Sequence, residues 1–229
     1  QKSDIFVELF AVNNLKIKEV EEYKERYKSQ YFNKIKDLIE ASIEWEKAGD
    51  KDKEDFKNNI NSVLDSELAG YKFVGDKIVQ ITEEKEAEEI EDSLKNMDEY
   101  GIVGAKEHIS SALSILSKKE SPDYRNVIKE SISAIESITQ FLTGYSNGIL
   151  GKALNLLDKK ITIHVALKKG FQSIYGYTSD ADGIRHGMEE EDNLDVEDAK
   201  YMLISCSAFI NYLIVKADKA GLIDKHTDS

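Results

Sequence analysis

The sequence predicts a mainly α protein: a helical bundle in its C-terminal part, preceded by a helical region that carries one β-hairpin. Three observations predict it. Apolar residues recur three and four positions apart over most of the 229 residues, with Lys and Glu between them, the spacing of one face of an α-helix. One stretch, 71–81, alternates instead and is rich in β-formers. Proline occurs once, at a helix start, and glycines such as Gly70 and Gly144 stand where apolar periodicity ends.

Taken in order, residues 4–10 form a short apolar segment that reads as a helical turn. Residues 19–48 read as one long helix, in which Tyr23, Tyr27, Tyr31, Ile35, Leu38, Ile39, Ile43 and Trp45 make an aromatic and aliphatic stripe. Such a stripe can stack bases, but it more often packs on another helix, and packing is the expectation. Gly49 and the charged run that follows make a turn, and a second helix spans about 54–68. The hairpin at 71–81 turns on Gly75-Asp76, a two-residue connection of the kind tight hairpins use. A lone hairpin is marginal in water, so it must pack on helices. Thr82 then caps an acidic helix over 83–96, whose first glutamates complement the helix dipole.

The segment 100–104, with two glycines and a change in charge density, reads as a domain boundary. It divides the chain into an N-terminal helical region, 1–100, and a helical bundle, 101–229. In the bundle, a helix at 106–118 carries Ile109, Ala112, Leu113 and Leu116. Ser121-Pro122-Asp123 predicts the next helix start, with serine as cap and proline in the first position. That helix runs to about Leu142 and stops at Gly144; it has an apolar stripe and a polar one bearing Arg125, Lys129, Ser133, Glu136 and Gln140. Residues 150–157 form a shorter helix, and 163–175 another, with Val165, Leu167, Phe171 and Ile174 expected inward. Asp195 caps the last helix, about 196–220, with Glu197 and Asp198 in its first turn. This helix is apolar nearly all round, so it is buried on several sides, one of which is open to a second subunit.

Composition narrows the function. The net charge of −13 argues against non-specific nucleic-acid binding by the whole surface. The charge is uneven: residues 106–229 hold 15 basic and 18 acidic residues, against 16 and 26 in the first 105, which leaves room for a local basic site in the C-terminal half. The one cysteine, Cys206, lies in an apolar helix and reads as a buried thiol in a reducing cytoplasm. The longest apolar stretch, 201–215, is broken by Ser205, Ser207 and Asn211 and is shorter than the roughly 20 residues a membrane span needs. The chain begins with Gln1, so upstream sequence is expected. The acidic helix at 83–96 has no His or Cys beside its carboxylates, and neither a metal nor another cofactor is expected.

The chemistry concentrates at 176–187, a polar, glycine-punctuated segment expected to be a loop in front of the last helix. Arg185 and His186 stand side by side there, in a chain with three arginines and 28 lysines. A guanidinium holds phosphate bidentately and an imidazole titrates near neutral pH, so the two together suit a phosphate and a proton transfer beside it. The plainer alternative pairs Arg185 with Asp180 or Asp182 and lets His186 cap a turn. His108, His164 and His226 read as structural or solvent-exposed.

Several segments together carry a family resemblance: Asp123-Tyr124-Arg125-Asn126-Val127-Ile128-Lys129-Glu130-Ser131-Ile132-Ser133-Ala134-Ile135-Glu136-Ser137, Leu150-Gly151-Lys152-Ala153-Leu154, Tyr175-Gly176-Tyr177-Thr178-Ser179-Asp180 through His186, and Asp198-Ala199-Lys200-Tyr201-Met202-Leu203 through Phe209. They resemble the C-terminal domain of bacterial abortive-infection (AbiJ-like) proteins, a divergent member of the HEPN superfamily. The region from Gly70 to Thr82 is similar to the part preceding that domain. The resemblance covers roughly residues 100–229. It implies a four-to-five-helix bundle that dimerises through its C-terminal helices, and a metal-independent ribonuclease of a phage-defence system. It also implies an Arg, four to six residues and a His near the start of the last long helix. Here Arg185 and His186 are adjacent, and side chains at that spacing diverge, so one subunit's Arg would have to join the other's His. On this reading His186 is the general base or acid, Arg185 stabilises phosphoryl charge, Glu136 orients one of them, and Arg125, Lys129 and Asp182 contact the RNA. The alternatives are a non-catalytic dimerisation or interaction module of a larger defence protein, and a nucleotide-binding domain that does not cleave.

Overall fold

The computed structural model describes residues 50–66, 70–81, 83–118, 121–145, 150–179 and 194–226. The segment expected at 4–10, the long helix expected at 19–48 and the Thr82 cap lie outside the described residues. Within them the protein is mainly helical, with seven helices and one two-stranded antiparallel hairpin. The chain divides into two compact units, Gln1–Ala87 and Glu88–Ser229.

In the first unit, helix α1 spans Asp50–Ser66 and strands β1 and β2 span Lys72–Val74 and Lys77–Val79. The strands pair Lys72 with Val79, Phe73 with Ile78 and Val74 with Lys77, so Gly75 and Asp76 form the turn that the sequence predicts. Gly75 has φ +58°, a left-handed conformation that favours glycine. The hairpin packs on α1. Asn61 of α1 accepts from Phe73 N–H at 2.6 Å and donates to Phe73 C=O at 3.2 Å. In an antiparallel ladder a non-hydrogen-bonded pair such as Phe73 and Ile78 turns its backbone groups to the outer edge, and one side-chain amide satisfies both. Phe73, Val74, Ile78, Val79 and Ile81 are all buried, so the strands do not show the one-sided burial that alternation suggests. Lys72 is buried too; its ammonium meets Asp65 at 2.7 Å, which keeps the charge paired.

Helix α2 spans Glu84–Glu99. It closes in a Schellman motif: Ile102 N–H bonds Met97 C=O at 2.8 Å, and Gly101 N–H bonds Asp98 C=O at 3.1 Å, with Gly101 at φ +64°. Met97 and Ile102 are both buried, the apolar contact that accompanies this cap. Helix α3, Val103–Leu116, therefore starts three residues earlier than the periodicity predicts. It packs along α4, Tyr124–Thr143. A Cβ on Gly104 would lie 2.7 Å from Ser137 Oγ, so a larger residue there would require the Ser137 side chain to turn away.

Helix α4 buries nine residues, among them Val127, Ile128, Ile132, Ile135, Ile138 and Leu142. Its N-cap is Asp123, not Ser121: the Asp123 carboxylate accepts from Asn126 N–H at 2.9 Å, while Ser121 is in a left-handed turn at φ +44°. A carboxylate two residues later displaced the expected serine cap. The C-cap is Gly144 at φ +72°, as expected. Helix α5, Leu150–Leu157, has the expected bounds and buries Leu150, Ala153, Leu154 and Leu157.

Helix α6 spans Val165–Ser179, so residues 176–179, expected in the loop, are its last turn. Val165 and Leu167 are 57% and 39% exposed, against the inward positions expected of them. Lys168 meets Asp158 at 2.6 Å, and Phe171 stacks on Phe209, centroids 3.3 Å apart. Phe171 and Ile174, also expected inward, are half-buried together with Lys168, Gln172 and Tyr175, so only the first turn of the expected stripe is out of place. The Lys168 ammonium, hydrogen-bonded to it, holds the Asp158 carboxyl below the usual carboxylate range, helped by Ile163 N–H.

Helix α7, Val196–Lys219, packs mainly on α4. Asp195 caps it in a capping box with Asp198. Ten residues are buried, including Met202, Leu203, Phe209, Ile210 and Leu213, while Tyr201 and Val215 are 61% and 46% exposed. Asn211 is no mere interruption of the apolar run: its amide donates to Glu89 C=O and Oε1 and accepts from Asn96, tying α7 to α2. Ser207 Oγ is buried without a hydrogen-bond partner. After a Schellman turn at Gly221 (φ +65°), the tail returns to α2. His226 N–H bonds Glu99 C=O at 2.8 Å, Lys225 pairs with Glu99 at 2.6 Å and stands over the Tyr100 ring. The His226 ring fills the space that a side chain at Gly101 would need.

Candidate functional site

Arg185, His186 and Asp182 lie outside the described residues. The other three expected site residues, Arg125, Lys129 and Glu136, are all on α4. Arg125 and Lys129 are one turn apart, but Glu136 is eleven residues from Arg125, about 16 Å along the axis at 1.5 Å per residue. One phosphate therefore touches the first pair or Glu136, not both. Lys129 is 54% exposed and lies 3.9 Å from Glu130; Arg125 and Glu136 are half-buried.

The described histidines differ from one another. His164 is exposed, and its Nδ1 accepts from Ala166 N–H at 3.2 Å at the start of α6. His226 belongs to the tail docked at Gly101. His108, on α3, is held by a carboxylate across the helix pair: Nδ1 lies 2.7 Å from Glu130 Oε2. The His108 side chain is 39% exposed and that of Glu130 17%. The sequence reads His108 as structural or solvent-exposed. The partners stand 22 residues apart with no local motif between them, so only the antiparallel docking of α3 on α4 brings them together. A carboxylate accepts and does not donate, so Nδ1 carries the proton and Nε2 keeps a lone pair in the neutral ring.

Other reactive groups are silent. Burial pushes the Cys206 thiol up to about 12, so it is inert as a nucleophile near neutral pH. Among the described residues no group of three or more His, Cys, Asp or Glu is arranged to hold a metal ion, and no helix is long and apolar enough to cross a membrane.

Residues 3–96 match a family model, AbiJ N-terminal domain 4. The match supports the AbiJ-like part of the expectation, and it does so over the N-terminal region, whereas the HEPN resemblance was read over 100–229. The matched family's name points to abortive-infection systems. No curated protein and no solved structure matches the chain.

Proposed function

We propose that this chain serves in bacterial phage defence of the abortive-infection type and that its C-terminal part, 101–229, is a HEPN-like bundle that acts on RNA in the cytoplasm without a metal ion. The observation that carries the defence reading is the match of residues 3–96 to the AbiJ N-terminal domain model. The RNA reading adds the Arg185-His186 pair directly upstream of α7 and the two cations, Arg125 and Lys129, one turn apart on α4. His186 would move the proton and Arg185 would stabilise charge on the phosphoryl oxygens. Glu136 would orient one of them and Asp182 would contact substrate. Because Arg185 and His186 are adjacent, a homodimer through the C-terminal helices would let each subunit complete the other's site.

A second reading, a non-catalytic dimerisation or interaction module, is favoured by the exposed apolar side chains of Tyr201 and Val215 on α7. One experiment separates the two. A mixed RNA pool is incubated with the purified chain in EDTA, beside His186→Ala. Cleavage that the variant loses supports the nuclease; a chain that leaves the pool intact but sediments as a dimer supports the module.

A further inference from the structure

The edge of the bundle formed by α5, α6 and the segment between them differs in charge from the rest of the chain. Residues 150–176 hold five lysines and one acid, Asp158, in a chain whose net charge is −13. We propose that the first turn of α6, with Lys159, Val165, Leu167 and Lys169, is a docking surface for an acidic segment of another protein that carries aliphatic side chains among its carboxylates. None of these residues belongs to the set assigned to RNA, so the proposal stands or falls apart from that reading.

Three observations support it. The turn is open to solvent: His164, Val165, Ala166 and Leu167 are all exposed, Val165 to 57% and Leu167 to 39%. Covering those two aliphatic side chains is favourable in proportion to the area removed from water. The surface is also cationic. Its one acid is engaged internally, since Asp158 pairs with Lys168 at 2.6 Å and accepts from Ile163 N–H at 3.2 Å. The exposed Lys159 and Lys169 therefore set its sign, and Lys169 follows Val165 by one helical turn, on the same face. Finally, the turn is held in place. The Asp158 contacts fasten its start, the Lys160 ammonium donates to Leu142 C=O at 3.1 Å, and Ile161 and Ile163 are buried beneath it. A projection fixed before binding loses little further freedom when a partner arrives.

The mixture of side chains decides which anion fits. Nucleic acid is held by cations together with rings or guanidinium planes that stack its bases. Here the projecting side chains are aliphatic, and the His164 ring is engaged at its own backbone, where Nδ1 accepts from Ala166 N–H at 3.2 Å. An anionic bilayer is an extended plane that meets the charge of −13 as well as the lysines, and helices that lie in lipid use an apolar face far longer than one turn. An acidic protein segment meets the lysines with its carboxylates and Val165 and Leu167 with its aliphatic residues, over an area no larger than the turn. Lysine suits this role, as a point charge on a flexible stem that adapts to a carboxylate.

The test uses the full chain and, as probe, a synthetic helical peptide of Glu, Ala and Leu with its leucines three and four residues apart. Two control peptides replace every Glu by Gln or every Leu by Ser. We expect the acidic peptide to bind, to weaken with added salt, and to bind more tightly than either control. Lys159→Glu with Lys169→Glu should lower its affinity by about tenfold or more. Val165→Ser with Leu167→Ser should lower it by about fivefold or more, with melting curves unchanged because all four side chains are exposed. Should the double Glu variant melt early, Lys159→Gln with Lys169→Gln carries the same expectation. An acidic peptide that does not bind, that binds no better than its Gln control, or that binds both variants like the native chain overturns the proposal. So does a single-stranded RNA or a phosphatidylglycerol vesicle that binds through Lys159 and Lys169 where the peptide does not, which would make the surface one for nucleic acid or for lipid. Each of these outcomes leaves the His186→Ala cleavage experiment unaffected.

Discussion

Helices α4 and α6 carry apolar residues at comparable helical spacing, yet α4 buries nine residues and α6 has none buried among its described side chains. The difference lies in what decides each helix's rotation about its axis. In α4 the apolar stripe is continuous over five turns, flanked by α3 on one side and α7 on another, and burial of Ile128, Ile132, Ile135 and Ile138 leaves one orientation. In α6 the stripe is short, and only its later part, Phe171 and Ile174, reaches even half-burial, while an ion pair holds the first turn. Lys168 reaches Asp158 and Phe171 reaches Phe209, which leaves Val165 and Leu167 in water. Periodicity announces that a helix has a face; tertiary partners choose which way the face points.

The comparison is most strongly tested in the α4 core. Ile135 is 1% exposed, and Ile135→Ala is expected to cost about 2–5 kcal/mol through lost burial and a residual cavity, read as a lower midpoint in urea denaturation. A loss under 1 kcal/mol would mean that α4 does not anchor the bundle. Acid sharpens the contrast. The Asp158 carboxyl is held below its ordinary value by Lys168, so its stabilising contribution is complete above the unfolded carboxylate pKa of about 3.9 and is lost as pH falls through the lower folded value. Hydrogen exchange should show amides of α6 losing protection below about pH 4 before those of α4; equal loss in both would refute the anchoring role of the pair. The smallest effect belongs to Leu167, 39% exposed. Leu167→Ser should change stability by no more than about 0.5 kcal/mol, and a larger cost would place that side chain against something after all.

The same contrast explains what the sequence made legible. Devices confined to one turn were readable: Gly144 as the end of α4, Asp195 with Asp198 at the start of α7, Gly75-Asp76 between the strands, and the bounds of α5. Asp123 superseded Ser121 as a cap because two acceptors competed within three residues and local rules rank them nearly equal. Contacts that depend on the docking of distant segments were not readable. Neither the pairing of His108 with Glu130 nor the bonds from Asn211 to α2 leave a trace in spacing. Of the candidate site, the cations Arg125 and Lys129 were legible in the polar stripe, and so were the three helical turns that separate Arg125 from Glu136.

The return of the tail to α2 has a kinetic consequence. Lys225 and Glu99 are 126 residues apart in the chain, and a contact of that span is entropically costly until the helices between its ends are in place. The tail is therefore expected to attach late in folding. Contacts made beyond the folding barrier do not hasten folding; they slow escape from the native state. Glu99, Tyr100 and Gly101 on one side, with Lys225 and His226 on the other, are then expected to act as a brake on unfolding: removing the tail should quicken unfolding in a denaturant jump and leave the refolding rate unchanged.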